Sequence, residues 1–418
     1  MKRLIFLIIF VILAVSLQGF FRDFSNNPAD LGNRESGDVI LPLFYFNGGM
    51  TNNNLSMNDL GMFETGHELT DAEKDLLTSS DLSFTGFGSI NLLSFGFKNW
   101  EFTMKSHVTG YLGNFDKEFM QLTFYGNDEG YYETSAMSDS YAYQFMKGSF
   151  DWAYPHNLNL SVIPVVRISN KDSGKFVLKM EGILNYMREM DIYLGGRLNW
   201  YYSWGYGEVE DSNQKFVTDE DSLYTYNHIH YIYSDPDALT GGGNSSLGFG
   251  IGLKAALPAG WFYLNLDDLG AKLQYSDLVH SEYNNFHLDY LDFLDEDHEA
   301  IDESDTIEGE PYGEDIYVNL KPTVSVGAEY NLGKGFSVMA KYFSCDYVID
   351  GIFLGTTYRP LQWLPIKLTY GNGEVDTYNI KFGFDTESFE LLLGMTNYNG
   401  LFNGAKGYGA NFGIKFKF

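Results

Sequence analysis

The chain has 418 residues and a single cysteine, Cys345. An intrachain disulfide framework is excluded, and so is a metal site built from several thiolates. Cys345 lies in the apolar run "VMAKYFSCDYV" and reads as an inert small residue. Basic residues are scarce: 27 Lys and Arg stand against 56 Asp and Glu, for a formal net charge of −29. Neutralising phosphates takes Lys and Arg, so nucleic acid is not an expected partner. Apolar runs of the ~20 residues that a spanning helix needs are also missing. Finally, there is no polar tail: the chain ends on "KGYGANFGIKFKF" with Phe418 as its last residue.

The one extended apolar stretch is at the start. "MKRLIFLIIFVILAVSLQG" has Lys2 and Arg3, an apolar core from Leu4 to Val15, and then small residues. This is the pattern of a secretory signal peptide, assigned to residues 1–19. No cysteine follows the core, so a lipid-anchored N-terminus is not expected. Without an apolar helix, a chain can still live in a membrane if its strands close on themselves.

What is abundant suits strands. Aromatics make up 17% of the chain, mostly 31 Tyr and 34 Phe, and there are 45 Gly. Aromatics favour pleated, half-buried surfaces and Gly disfavours helix interiors. Alternation is clearest in "VSVGAEYNLGKGFSVMAKYF". There Val324, Val326, Ala328 and Tyr330 oppose Ser325, Gly327 and Glu329, a turn follows at Asn331–Gly335, and Phe336, Val338, Ala340 and Tyr342 oppose Ser337 and Lys341. "DTYNIKFGFDTESFELLLGM" repeats the design around a turn at Asp385–Ser388. Further strands are expected at 38–47, 82–97, 100–112, 141–154, 158–169, 176–188, 193–206, 247–257, 261–275 and 408–418. The total is roughly 12 to 16 strands of the spanning type. Tyr and Trp gather near expected strand ends, as in "LNWYYSWGYG", in the manner of interfacial girdles.

Two stretches break the alternation. In "LTDAEKDLL", Thr70 and Glu73 form a capping box that opens a short helix. In the acidic run 286–315, Leu288, Leu291 and Leu294 are spaced like one helix face, so residues 277–315 read as an acidic loop insertion, part helix and part disordered.

The ending now has an explanation. In a membrane barrel, apolar side chains face lipid at alternate positions, and the last strand pairs with the first. Phe412, Ile414, Phe416 and Phe418 take the lipid face, with Asn411, Gly413, Lys415 and Lys417 inside. This pattern resembles the C-terminal signal read by the barrel-assembly machinery of the outer membrane. "SINLLSFGFKNWEFTMKSHVTGYL" and "FYLNLDDLGAKLQYS" resemble the barrel core of an uncharacterised outer-membrane family, similar in outline to fatty-acid-transporter-type barrels. "NNPADLG", with Asn27, Pro28 and Ala29, resembles the start of that wider group. The resemblance implies that residues 20–37 tuck into the barrel as a hatch.

The expected architecture is thus all-β: a transmembrane antiparallel barrel over 38–418 behind a hatch-like segment, embedded in outer-membrane lipids. No catalytic, cofactor-binding or metal residues are assigned, and no enzyme is expected. His228 and His230 alternate onto one side of "TYNHIHYIYSD", but no third metal ligand is identifiable. Two functions remain open. One is passive transport of a small or hydrophobic solute, with a hydrophobic small molecule as ligand. The other is a structural or anchoring barrel that serves surface proteins through its loops, chiefly the acidic insertion and the Tyr-rich segment 208–233.

Overall fold

A computed structural model describes Asn27, Ala29, Leu31 and most of residues 39–417. Outside the description are 57, 64–66, 98, 126–129, 135, 136, 138, 155–157, 160–190, 219–221, 236–243, 258, 291–300, 347–349, 374 and 387. The signal segment 1–19, Pro28, Phe418 and nearly all of the strands expected at 158–169 and 176–188 therefore lie outside the described residues.

In chain order the strands begin with β1 (Val39–Asn52), β2 (Leu82–Phe97), β3 (Trp100–Phe115), β4 (Gly130–Thr134), β5 (Tyr141–Ala153), β6 (Leu158–Asn159) and β7 (Asp191–Thr218). Then come β8 (Ser222–Ser234), β9 (Asn244–Leu257), β10 (Gly260–Leu269), β11 (Lys272–Tyr275), β12 (Leu278–Tyr290), β13 (Ile301–Pro311) and β14 (Ile316–Asn319). The last third holds β15 (Thr323–Gly333), β16 (Phe336–Ser344), β17 (Gly351–Leu361), β18 (Leu364–Asn372), β19 (Thr377–Asp385), β20 (Phe389–Tyr398) and β21 (Gly407–Lys417). Two helices, α1 (Asp71–Leu77) and α2 (Lys117–Tyr125), sit in loops.

Fourteen strands close into one antiparallel barrel: β1, β2, β3, β5, β7, β9, β10 and then β15 through β21. The seam runs from Ile40 opposite Lys417 to Thr51 opposite Gly407. Closure leaves no open edge within the wall, which is the condition for a sheet to sit in lipid. One end carries tight turns, such as 334–335 and 362–363, and also the connection 154–190, most of which lies outside the described residues. The other end carries the long connections 53–81 and 116–140 and everything between β10 and β15.

The outer surface is apolar. Along β9, Leu247, Phe249 and Ile251 are 55 to 59% exposed, while the intervening Gly248 and Gly250 are buried. Ile352 and Leu354 on β17 and Leu393 and Met395 on β20 continue the belt. An apolar surface this continuous is not sustained in water, and the barrel spans a membrane. At the tight-turn end the belt is edged by rings: Trp100 stacks on Phe150, Phe336 on Tyr358 at 4.2 Å, and Phe389 meets Phe416 at 5.3 Å. Within the terminal strand, Asn411 and Gly413 are buried, while Phe412, Ile414 and Phe416 take the alternate, more accessible positions.

Two expectations are corrected. The run 261–275 is not one strand: the chain leaves the wall after Leu269, and β11 pairs with β14 as a separate two-stranded ribbon. In the acidic insertion, Leu288 belongs to strand β12 rather than to a helix, because β12 is hydrogen-bonded on both sides, to β8 and β13. Leu291 and Leu294, the other two members of the expected helix face, lie outside the described residues. These ladders give a sheet standing beyond the barrel, in the order β4, β7, β8, β12, β13. Strand β7 is common to both parts, pairing with β5 and β9 in the wall and with β4 and β8 above it. The helix opened by Thr70 and Glu73 is present with both arms of its capping box.

Candidate functional site in the lumen

The inner face of β5, β7 and β10 holds a buried ionic cluster. A bulge in β10 between Leu266 and Leu269, with Asp268 at φ +58°, brings Asp267 and Asp268 to the same side of the sheet. Consecutive strand residues normally face opposite ways; a bulge is what allows two neighbouring carboxylates to share one interior. Across the ladder, Gly250 leaves the space they need, since a Cβ there would lie 2.7 Å from Asp267 Oδ1.

Every carboxylate oxygen in the cluster is occupied. Arg197 donates from Nε and Nη2 to the two oxygens of Asp151, both at 2.6 Å, and from Nη1 to Asp267 Oδ2 at 2.6 Å. Lys147 donates to Asp267 Oδ2 at 2.9 Å and to Asp268 Oδ1 at 2.5 Å. Asn199 Nδ2 and the Asp268 backbone N–H complete Asp267, and the hydroxyls of Tyr201 and Thr323 complete Asp268. Buried charges persist only when paired and hydrogen-bonded in this way. The cluster ties β5, β7, β10 and β15 together on one side of the lumen.

Toward the long-loop end, an aromatic and aliphatic layer lies over it. Leu273 and Tyr275 of the ribbon are buried with Tyr143, Phe145, Tyr201, Ile232, Leu278 and Leu320. Tyr275 donates to the Gln144 carbonyl at 3.3 Å, and Ser203 donates to the Gln274 carbonyl. The ribbon thus packs on the inward faces of β5 and β7. Cys345 is buried beside it, with its Sγ 3.3 Å from Thr323 Oγ1.

Toward the tight-turn end lie the described residues of the hatch-like motif. Asn27 is 2% exposed and donates from Nδ2 to the carbonyls of Leu253 at 3.0 Å and Leu264 at 3.3 Å, on β9 and β10. Its Oδ1 accepts from the Ala29 N–H, and Ala29 and Leu31 are buried.

The opposite wall, β18 to β21, is polar and differently provisioned. Thr369, Asn397 and Asn411 are each under 9% exposed. Thr369 Oγ1 and the Oδ1 atoms of Asn379, Asn397 and Asn411 have no hydrogen-bond partner. Lys367 and Lys381 are buried on the same wall, directly opposite each other.

His228 and His230 lie in the sheet beyond the barrel. His228 Nδ1 is 2.6 Å from Asn284 Oδ1, and His230 bridges Glu210 Oε2 at 2.8 Å and His280 Nδ1 at 3.2 Å. Among the described residues, no group of three His, Cys, Asp or Glu side chains is placed to hold a metal.

No protein-family model matches the chain, and no curated protein matches it. Solved structures similar to it include the deltaS2S3 mutant of the TodX monoaromatic hydrocarbon channel, with 8% identity, 97% of each chain covered and a TM-score of 0.42. Others are the Pseudomonas putida toluene transporter TodX (10% identity, 94% of this chain and 91% of that one, TM-score 0.40) and a Pseudomonas aeruginosa FadL homologue (9%, 94% and 91%, 0.36). The barrel itself is established by the ladder closed from β1 to β21.

Proposed function

We propose that this chain is an outer-membrane transport barrel that passes a small solute passively, with part of its lumen filled by its own segments. The observation that supports this reading is the asymmetry of the interior. The carboxylate oxygens of one wall are all met, with Asn265 Oδ1 on β10 and Ser246 Oγ on β9 left over on that side, whereas four buried acceptors without a hydrogen-bond partner gather on the wall of β18 to β21. Leaving a buried polar group unmet costs about 1–3 kcal/mol, so a barrel serving only as an anchor gains nothing from such a wall. A polar solute or a file of water moving along it meets those groups. Asn27, pinned to the carbonyls of β9 and β10, belongs to a hatch that restricts the passage from the tight-turn side.

The test is liposome swelling with neutral sugars of increasing size, using the full mature chain and a variant lacking residues 20–37. Swelling by the full chain, faster in the deletion, supports transport. If neither chain makes vesicles permeable, the reading fails, and the alternative of an anchoring barrel takes its place. That alternative has its own supporting feature, the five-stranded sheet standing beyond the barrel with β8 and the acidic β13 in it.

A further inference from the structure

Strand β7 carries the lipid-facing side of the wall up into the outer sheet. Leu198 and Trp200 are 39% and 40% exposed on the wall, and Tyr202 and Trp204 follow, with ring separations of 6.2 and 6.1 Å. On β9 the exposed Leu247, opposite Trp200, gives way to Ser245, opposite Tyr202. The apolar belt therefore ends at this level, and the rings form its girdle. Above a bulge at Trp204, Tyr206 turns inward onto Tyr275, so Gly207 and Val209 keep the outward side. Their partners on β8 are Tyr233 and Tyr231, while the intervening Ile232 is buried in the lumenal layer. The outward face of the projecting sheet thus continues the lipid-facing wall.

This face is uncharged and bears tyrosines, in a chain of net charge −29. From Val209 it runs across Tyr231 to Ser281, and beside them from Ile229 across Tyr283 to Thr306. Tyr231 and Tyr283 are 37% and 38% exposed, and Asn227 and Asn285 are paired next along the same face. The acids Glu208, Glu282, Asp305 and Glu310 all take the opposite face, with Ile232, His230 and His280. Height then distinguishes the lipids that can reach it. From Trp204 to Val209 the strand advances about 16 Å at ~3.3 Å per residue, or about 12 Å along the membrane normal at a tilt of ~40°. A phospholipid headgroup layer is about 5–8 Å deep per leaflet, and ends below these tyrosines.

We infer that this face lies against the oligosaccharide headgroups of glycolipids in the leaflet on the long-loop side. The tyrosine rings pack on the apolar C–H faces of sugar rings, and their hydroxyls and the two amides exchange hydrogen bonds with sugar hydroxyls. Anionic headgroups are not what it recognises, since holding phosphate takes Lys or Arg and the face has neither. The inference is independent of transport, because the surface lies outside the lumen.

The experiment is hydroxyl-radical footprinting of the full mature chain, read by mass spectrometry at Tyr231 and Tyr283. The protein is compared in detergent, in phosphatidylcholine vesicles, and in the same vesicles doped with a ceramide carrying one or three neutral hexoses. The three-hexose ceramide is expected to slow modification of both tyrosines about threefold, as rings more than a third exposed become covered. Tyr317, 47% exposed on the ribbon, should not change. Asn227→Ala with Asn285→Ala, which keeps the rings, should remove much of the protection, and heat-dependent gel mobility reports that this variant is a folded barrel. No protection by the three-hexose ceramide overturns the inference. Equal protection by phosphatidylcholine alone, or by the one-hexose ceramide, overturns it in favour of a sheet lying on short headgroups. Equal protection by the free trisaccharide added to undoped vesicles overturns it in favour of a soluble sugar.

Discussion

Arg197 and Asp151 stand directly opposite each other on β7 and β5, joined by two parallel 2.6 Å bonds, with the arginine 1% exposed. The same guanidinium reaches on to Asp267, so one side chain bridges three strands of the wall. Arg197→Ala would leave Asp151 and part of Asp267 buried without their counter-charge. It is expected to destabilise the barrel by about 3–5 kcal/mol, the cost typical of breaking a buried pair from one side. Urea unfolding followed by tryptophan fluorescence measures this, and a loss under about 1 kcal/mol would show the site to be well hydrated.

Gly327 on β15 faces the ring of Tyr263 on β10, and a Cβ there would stand 2.7 Å from Tyr263 Cε1. Gly327→Ala should cost about 1–3 kcal/mol by forcing the ring off its position. The companion Tyr263→Ser with Gly327→Ala should remove the clash. Unfolding midpoints of the two variants decide between a steric and a backbone cause.

Ile251, 59% exposed at the middle of β9, is a lipid-facing position. Ile251→Arg is expected to cost about 2–4 kcal/mol when folding is measured in phosphatidylcholine vesicles, because a charge near the bilayer midplane must be solvated there. An unchanged folding free energy would place β9 outside the apolar belt.

Glu73 at the start of α1 is held down to about 2, chiefly by the Thr70 backbone N–H, then by the Thr70 hydroxyl and His67. The folded value lies below the ordinary 4.5, so the cap's contribution is present above pH 4.5 and is lost as the pH falls toward 2. Side-chain carboxyl NMR of Glu73 should show this low titration. Thr70→Ala should return it toward the ordinary range and speed amide exchange in the first turn of α1.

Strand β13 has a pairing partner only in β12 among the described strands, and Asp305, Glu308 and Glu310 are exposed on it. Charged residues on a free edge block pairing with another chain. Asp305→Val with Glu308→Val should promote self-association, read by sedimentation in detergent.

Strands were legible wherever one face met lipid. Leu82–Phe97 was readable to the residue as an unbroken run of aromatic, aliphatic and small residues, and the hairpin about Asp385–Ser388 likewise, because oily and small side chains alternate on its first strand. The ribbon was not legible, since Leu273 and Tyr275 continue the same alternation after Asp268 and Gly270 have turned the chain inward through positive φ. Period-two patterning shows which residues share a face; it does not distinguish lipid from lumen. The ionic cluster was hidden for another reason: Arg197 meets Asp151 and Asp267 across 46 and 70 residues of sequence. Its one local signal was the pair of adjacent acids in "DDLG", where a wall strand should place a single one. Lys367 and Lys381 likewise meet only through the register of a hairpin.

Strand β7 serves wall and outer sheet within one run of 28 residues. A pull on that sheet therefore loads the same backbone ladder that carries Arg197, with no linker between them to swivel or absorb it. The protruding sheet behaves as a rigid mast: whatever grips it from outside grips the barrel too, and its bearing relative to the membrane is set when the cylinder closes.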